Sequence, residues 1–188
     1  MTSNNNDDLK FIIPSINNDN NEYRYDKFKV VDIPNKGLGV VVTEDLKIND
    51  INSFIVYGGI LYNSKQFKKY MKLNNDLKFD NNKNISNISH ITKASLLNEN
   101  ENYLIANPIL YNNPYKFGWI GSYVNEVSEN SNEIYNAELI VLSDIDKLKY
   151  KSSIDKLPNC IDKRYIVGIR IIYAIRKGME VTAYYNGL

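Results

Sequence analysis

One cysteine, one histidine and no long apolar run set the first limits on this chain of 188 residues. Cys160 alone cannot form an intrachain disulfide or a cysteine-rich zinc cluster, so neither stapling nor structural zinc is available and no metal is expected. His90 sits in an Asn-rich stretch and cannot build a catalytic triad by itself, and no Gly-x-Ser-x-Gly elbow accompanies it. A Walker A string is also missing, which removes the phosphate-cradling P-loop. The apolar runs are too short to span a bilayer, and the polar, acidic start Met1–Asp8 lacks the pattern of a secretory leader. These absences point to an intracellular protein, nuclear or cytoplasmic, with no membrane partner. A net charge of +1 gives no global electrostatic basis for holding nucleic acid, so direct nucleic-acid contact is not expected.

What is present suffices for a core. The chain is 43% hydrophobic and 12% aromatic, too apolar for a disordered protein. Residues 1–22 are dominated by Asn and Asp around the apolar island Phe11-Ile12-Ile13 and read as a flexible Asn-rich arm with one docking point. Residues 23–188 read as one domain with variable inserts at about 63–102 and 143–163. Phe28–Ile33, a Pro34-Asn35-Lys36-Gly37 turn and Leu38–Thr43 form a hairpin pattern. Further strands are expected at Ile51–Tyr57, closed by Gly58-Gly59, at Ile60–Tyr62, at Tyr103–Ala106 and at Tyr165–Tyr173. Ser64–Leu73 is the best helix candidate, capped by Ser64, with Phe67, Tyr70 and Met71 on one face. Trp119 reads as core, as do Tyr25, Tyr62, Tyr70, Tyr111, Tyr115, Tyr150 and Tyr165.

Three strings carry more information in order than alone: Lys36-Gly37-Leu38-Gly39; Gly121-Ser122-Tyr123-Val124-Asn125-Glu126 with Asn136-Ala137 soon after; and Gly178-Met179-Glu180-Val181-Thr182-Ala183-Tyr184-Tyr185. A lone Gly-x-Gly after a turn is most often a hairpin device. Together, in this order, the strings resemble the three signatures of the SET domain, a family of protein lysine methyltransferases that use S-adenosylmethionine. The resemblance covers residues 28 to 188. It implies a mainly β fold with short helices, a β-clip-like arrangement of small sheets ending in a C-terminal pseudoknot that makes Asn125 and Tyr185 neighbours.

The resemblance also implies a site. Lys36, Gly37, Leu38 and Gly39 would lie against the amino-acid end of the methyl donor, Lys36 and Leu38 through their main chains, while Tyr123, Asn125, Glu126 and Tyr185 complete the cofactor-binding set. Tyr57 and Tyr185 would be the catalytic pair, lining an apolar tunnel that strips water from a lysine ammonium and so populates its neutral, nucleophilic form. Glu180 and Thr182 enter as structural anchors. The expected partner is a lysine-containing protein or peptide, histone tails being the usual family target. Glu126 stands where the family has histidine and Tyr184 where it often has Asp, and the chain ends at Leu188 without the family's closing segment. Either the arm or the insert completes the site, or a second chain does, by self-association or as a separate partner. The alternative expectation is a catalytically degenerate SET-like module for protein interaction or assembly; a nucleic-acid-binding β domain is a third.

Overall fold

The computed structural model describes residues 8–78, 91–95, 101–105, 113, 115–116, 120–127 and 134–184. Tyr185, His90, Trp119 and Tyr111 lie outside the described residues, as does the end of the chain where the terminal tyrosine was expected to act. The chain begins with β1 (Lys10–Phe11), β2 (Ser15–Asn17), β3 (Glu22–Arg24), β4 (Phe28–Ile33), β5 (Gly37–Val42), β6 (Ser53–Tyr57) and β7 (Ile60–Asn63). Helix α1 (Ser64–Lys78), β8 (Ile91–Ser95), β9 (Glu101–Ile105) and β10 (Asn125–Glu126) follow. Then come β11 (Ala137–Val141), α2 (Asp144–Lys149), α3 (Lys151–Ile154), β12 (Val167–Ile171) and β13 (Thr182–Tyr184). The protein is mainly β with few short helices, as the sequence pattern predicts.

Strand β6 explains the core. All five of its residues are buried, and its alternate side chains enter different clusters. Ile55 and Tyr57 join Val40, Val42, Ile120, Tyr123, Val167, Ile169 and Ile171 on one face. Phe54 and Val56 join Leu142, Ile154, Leu157, Ile161 and Ile166 on the other. A strand covered on both faces reads as a continuous apolar run, which is why Ser53-Phe54-Ile55-Val56-Tyr57 shows no polar alternation. It is flanked by β12, antiparallel with Tyr57 opposite Val167, and by β1 in parallel. The resulting six-stranded sheet has the order β1-β6-β12-β11-β13-β10, with two-stranded β2-β3 and β4-β5 sheets and a three-stranded β7-β9-β8 sheet beside it. Among the described residues no helix is long and apolar enough to cross a membrane.

The hairpin β4-β5 forms where the turn residues predict. The Lys36 N–H donates to the Ile33 carbonyl at 3.0 Å, with Pro34 at the first turn position and Asn35 at φ 66 in the second. That is the residue order of a type II turn. Gly37 follows at φ 82, a conformation that side-chain-bearing residues rarely take.

Three local differences from the sequence reading have physical causes. Helix α1 is capped by Asn63 rather than Ser64: the Asn63 Oδ1 accepts from the Gln66 N–H at 2.9 Å, and the Gln66 Oε1 accepts from the Asn63 N–H at 3.0 Å. This reciprocal pair is a capping box. Residues 143–163, read as a variable insert, hold α2 and α3, and Ile154, Leu157 and Ile161 fill the second cluster. The arm, expected to have little order before Tyr23, is structured from Asp8 onward. Phe11 docks with its ring centroid 4.8 Å from that of Phe54 and 5.6 Å from that of Tyr150, and β2 pairs with β3. The island Phe11-Ile12-Ile13 supplies apolar surface that an Asn-rich neighbourhood conceals in composition.

Lys27, just ahead of β4, ties Asp50 at 2.8 Å and Glu44 at 3.2 Å. The Lys27 ammonium, and after it the Lys47 N–H, hold the Asp50 carboxyl below the ordinary carboxylate range. A carboxyl depressed in the folded state stabilises above its unfolded pKa, and that stabilisation is lost as pH falls through the folded value. Asp50→Asn is therefore expected to lower stability by about 0.5–1 kcal/mol near neutrality and by less in acid. Urea midpoints of both chains, taken near neutral pH and again well below the usual Asp pKa of about 3.9, check this by their convergence.

Candidate functional site

The three strings meet at Glu180. Its residue pairs as an isolated antiparallel bridge with Val41 of β5, and the Val181 N–H donates to the Val40 carbonyl at 2.8 Å. This lays the third string along the first. On its other side β13 pairs in parallel with both β10 and β11, with Thr182 opposite Asn125 and Ala183 opposite both Glu126 and Ala137. The second string is thereby fixed beside the third. Asn125 lies on a strand paired with the one that leads into Tyr185, although the position of Tyr185 itself is outside the described residues.

The side chains complete the junction. The Asn125 Nδ2 donates to Glu180 Oε1 at 2.7 Å, and the Lys36 Nζ lies 3.2 Å from Glu180 Oε2. The Glu180 side chain is 15% exposed and that of Lys36 26%, so the pair is shielded more than a surface salt bridge while keeping access to water. A Cβ at position 39 would fall 2.5 Å from Ile33 Cγ1, 2.7 Å from Asn125 Nδ2 and 2.9 Å from Glu180 Oε1, so any larger residue there would have to push these side chains aside. Gly37 differs: nothing lies within 4 Å of its Cβ position, and its left-handed φ makes the demand. Leu38 between them is 45% exposed.

Asn136 anchors the junction from below. Its Nδ2 donates to the Glu180 carbonyl at 2.9 Å and its Oδ1 accepts from the Thr182 N–H at 3.0 Å. Its own N–H donates to the Thr182 carbonyl at 3.0 Å, and its carbonyl accepts from the Ile172 N–H at 3.0 Å. One asparagine thus fixes the start of β13 against the end of β12.

The tyrosines are placed unequally. Tyr57 is 2% exposed, forms a bridge with Ile120 and belongs to the same cluster as Tyr123, itself 3% exposed. Tyr25, 7% exposed, is hydrogen-bonded to the Ile120 backbone, and burial pushes its hydroxyl far above the ordinary tyrosine range, so it stays protonated. Tyr25 packs, as expected of it, and also steadies the segment that carries Tyr123. Glu126 is exposed on the edge strand.

The family reading gives Lys36 a main-chain role; in addition its side chain holds Glu180, a contact for which the acid in the third string and the base in the first are the available signal. Asn125 was matched to a cofactor role, and its amide also binds Glu180. The described residues bring together Lys36, Gly37, Leu38, Gly39, Asn125 and Glu180; Tyr57 and Tyr123 lie in the core behind them. No family model matches the chain, and no curated protein matches it.

The donor set can be tested against the expected cofactor by its chemistry. S-adenosylmethionine carries a zwitterionic α-amino-acid end; here the Lys36 ammonium, the Glu180 carboxylate and the Asn125 carboxamide are gathered, the last two packed beside Gly39, while nothing lies within 4 Å of the Cβ position at Gly37. Charges of both signs with exposed backbone groups suit such a group. The space beside Gly39 is filled by the protein's own Asn125 and Glu180, which leaves Gly37 and Leu38 as the open part of the first string.

Proposed function

We propose that this chain is a SET-like protein lysine methyltransferase, transferring a methyl group from S-adenosylmethionine to the side-chain amine of a lysine in a protein substrate. The observation that carries the reading is the convergence of three strings on the Lys36–Glu180–Asn125 cluster, in which Glu180 meets partners 55 and 144 positions away. Chance resemblance of short strings gives no reason for them to meet. The parallel pairing of β10 with β13 further supports the pseudoknot that the family reading calls for.

When bound, the donor supplies an electrophilic sulfonium methyl. Lys36 and Glu180 would hold its carboxylate and ammonium, with Leu38 and Gly37 offering main-chain groups and Asn125 keeping Glu180 oriented. The reaction needs a neutral lysine Nζ in line with the methyl, so orientation and desolvation are the protein's task. Tyr57 and Tyr185 would wall the path of the substrate side chain. A buried, apolar wall lowers the pKa of the entering ammonium, whose proton leaves Nζ for water before transfer. Histone tails are the first substrates to try.

One observation favours the second reading, a degenerate SET-like interaction module. Asn125 and Glu180 satisfy each other and fill the Gly39 recess, so the motif glycine at 39 is accounted for by internal packing. Calorimetric titration of the chain with S-adenosylhomocysteine, the reaction product, separates the two. Methyl transfer predicts one-to-one binding with Kd on the order of micromolar, and methyl incorporation when lysine peptides, histone tails included, are supplied with donor. A folded chain with no heat of binding overturns the donor site and leaves the interaction module.

A further inference from the structure

Away from the Glu180 junction, the loop after β5 and the segment before β13 enclose a groove. Its first compartment, about 440 Å³, is lined by Asp45, Leu46, Lys47, Ile48, Ala174 and Arg176, with Asn49 and Ile175. A second, of about 450 Å³, shares Asp45 and Lys47 and continues past Lys27, Glu44, Asp50 and Lys177. The walls are tied by a reciprocal backbone pair: Leu46 N–H to Ile175 carbonyl at 2.8 Å and Ile175 N–H to Leu46 carbonyl at 3.0 Å. The groove is therefore preformed, which spares a ligand the cost of ordering it.

The lining carries four cations, Lys27, Lys47, Arg176 and Lys177, against three carboxylates, Glu44, Asp45 and Asp50, a net charge of +1. Each carboxylate is engaged: Glu44 and Asp50 by Lys27, Asp50 also by the Lys47 N–H at 2.9 Å, and Asp45 by the Lys177 N–H at 2.8 Å. The side chains of Lys47, Arg176 and Lys177, all exposed, have no carboxylate partner among the described residues. Lys10 adds a further cation where its Nζ meets the Asn49 carbonyl at 2.5 Å. Beside these cations the accessible aliphatic surface is that of Ile48, 78% exposed at the rim, above Leu46 and Ile175, which belong to the buried core.

We infer that this groove binds an acidic peptide segment carrying a large aliphatic side chain, its carboxylates paired with Lys47, Arg176 and Lys177 and its aliphatic group against Ile48. Charge complementarity selects the acid, and the aliphatic compartment selects the apolar residue. A nucleic-acid strand is the poorer occupant because none of the lining residues is aromatic, leaving bases nothing to stack on. This interaction does not depend on methyl transfer.

The test is an amide chemical-shift titration of the full chain with the blocked peptide Glu-Glu-Leu-Glu-Glu. Lys-Lys-Leu-Lys-Lys, Glu-Glu-Ser-Glu-Glu, an oligothymidylate and anionic phosphatidylglycerol vesicles are run in parallel. The expected result is a saturable shift confined to Asp45–Asn49 and Ala174–Lys177 with the first peptide. The serine and lysine peptides should bind roughly tenfold more weakly, as should the first peptide to a Lys47→Glu/Arg176→Glu chain. Both substitutions are on exposed side chains, and retention of the remaining amide spectrum verifies the fold. Absent or scattered shifts, equal binding of the basic peptide, or stronger binding of oligothymidylate or vesicles would overturn the inference.

Discussion

Replacing Gly168 by alanine is expected to destabilise the fold by about 3 kcal/mol, at the upper end of what overpacking a core usually does. Gly168 lies mid-strand in β12, opposite Val56 of β6, and the Phe54 ring from β6 folds over it. A Cβ at 168 would fall within 2.7 Å of three Phe54 ring carbons. Phe54 has no free direction to move: it is fully buried and its other side meets Phe11 of β1. The methyl must therefore displace either the ring or the strand, and displacing the ring loosens the N-terminal segment as well. Denaturant unfolding gives the magnitude, and earlier amide exchange at Lys10–Ile13 would report the second effect. Phe54→Leu removes the clash at the expense of ring packing, so the double variant should be more stable than the sum of the singles by over about 1 kcal/mol. Full additivity would mean that Gly168 is required for some reason other than the ring above it.

This dependence shows where sequence reading stops. The β4-β5 hairpin was legible because Pro34, Asn35 and Gly37 each constrain the backbone locally, and the strand bounds differ from expectation by a residue or so. Strand β6 was legible as a run of apolar residues, yet nothing local tells that alternate residues feed two clusters. The docking of Phe11 depends on Phe54 and Tyr150, distant in the chain, so a segment of Asn and Asp around a three-residue island looked mobile. Helix α2 carries a local signal of its own. Ser143 accepts from the Asp146 N–H at 3.1 Å and Asp146 bonds back, a capping pattern written in Ser143-Asp144-Ile145-Asp146. At the candidate site the order of the strings indicated that they belong together. It did not indicate that Glu180 is the point of contact, because hydrogen-bond partners across 55 and 144 positions leave no local periodicity.

Asn136→Ala should destabilise by about 2–3 kcal/mol and lower the thermal midpoint on the order of 5–10 °C. The side chain makes two bonds whose partners have no ready substitute: the Glu180 carbonyl loses its donor, and the Thr182 N–H, in a residue only 6% exposed, loses its acceptor. Removing one partner and leaving the other dry incurs desolvation, which exceeds the modest net worth of the bond itself. Asn136→Asp isolates the two halves. It keeps an oxygen for the Thr182 N–H but turns a second oxygen toward the Glu180 carbonyl, an acceptor facing an acceptor. That arrangement raises the folded-state pKa of the new carboxyl, since protonation restores a donor. The Asp variant's deficit should therefore be full above that raised pKa and shrink as pH falls through it, whereas the Ala variant's deficit stays level. Because Asn136 fixes the Glu180 carbonyl and the backbone of Thr182 just after it, the reading of this site as a methyl-donor pocket adds a second expectation. S-adenosylhomocysteine affinity should fall roughly tenfold in Asn136→Ala under conditions where the chain is still folded, through displacement of the Glu180 carboxylate, whose side-chain partners are Lys36 and Asn125. Unchanged affinity in a destabilised but folded variant would assign Asn136 to the sheet alone and remove Glu180 from the donor site.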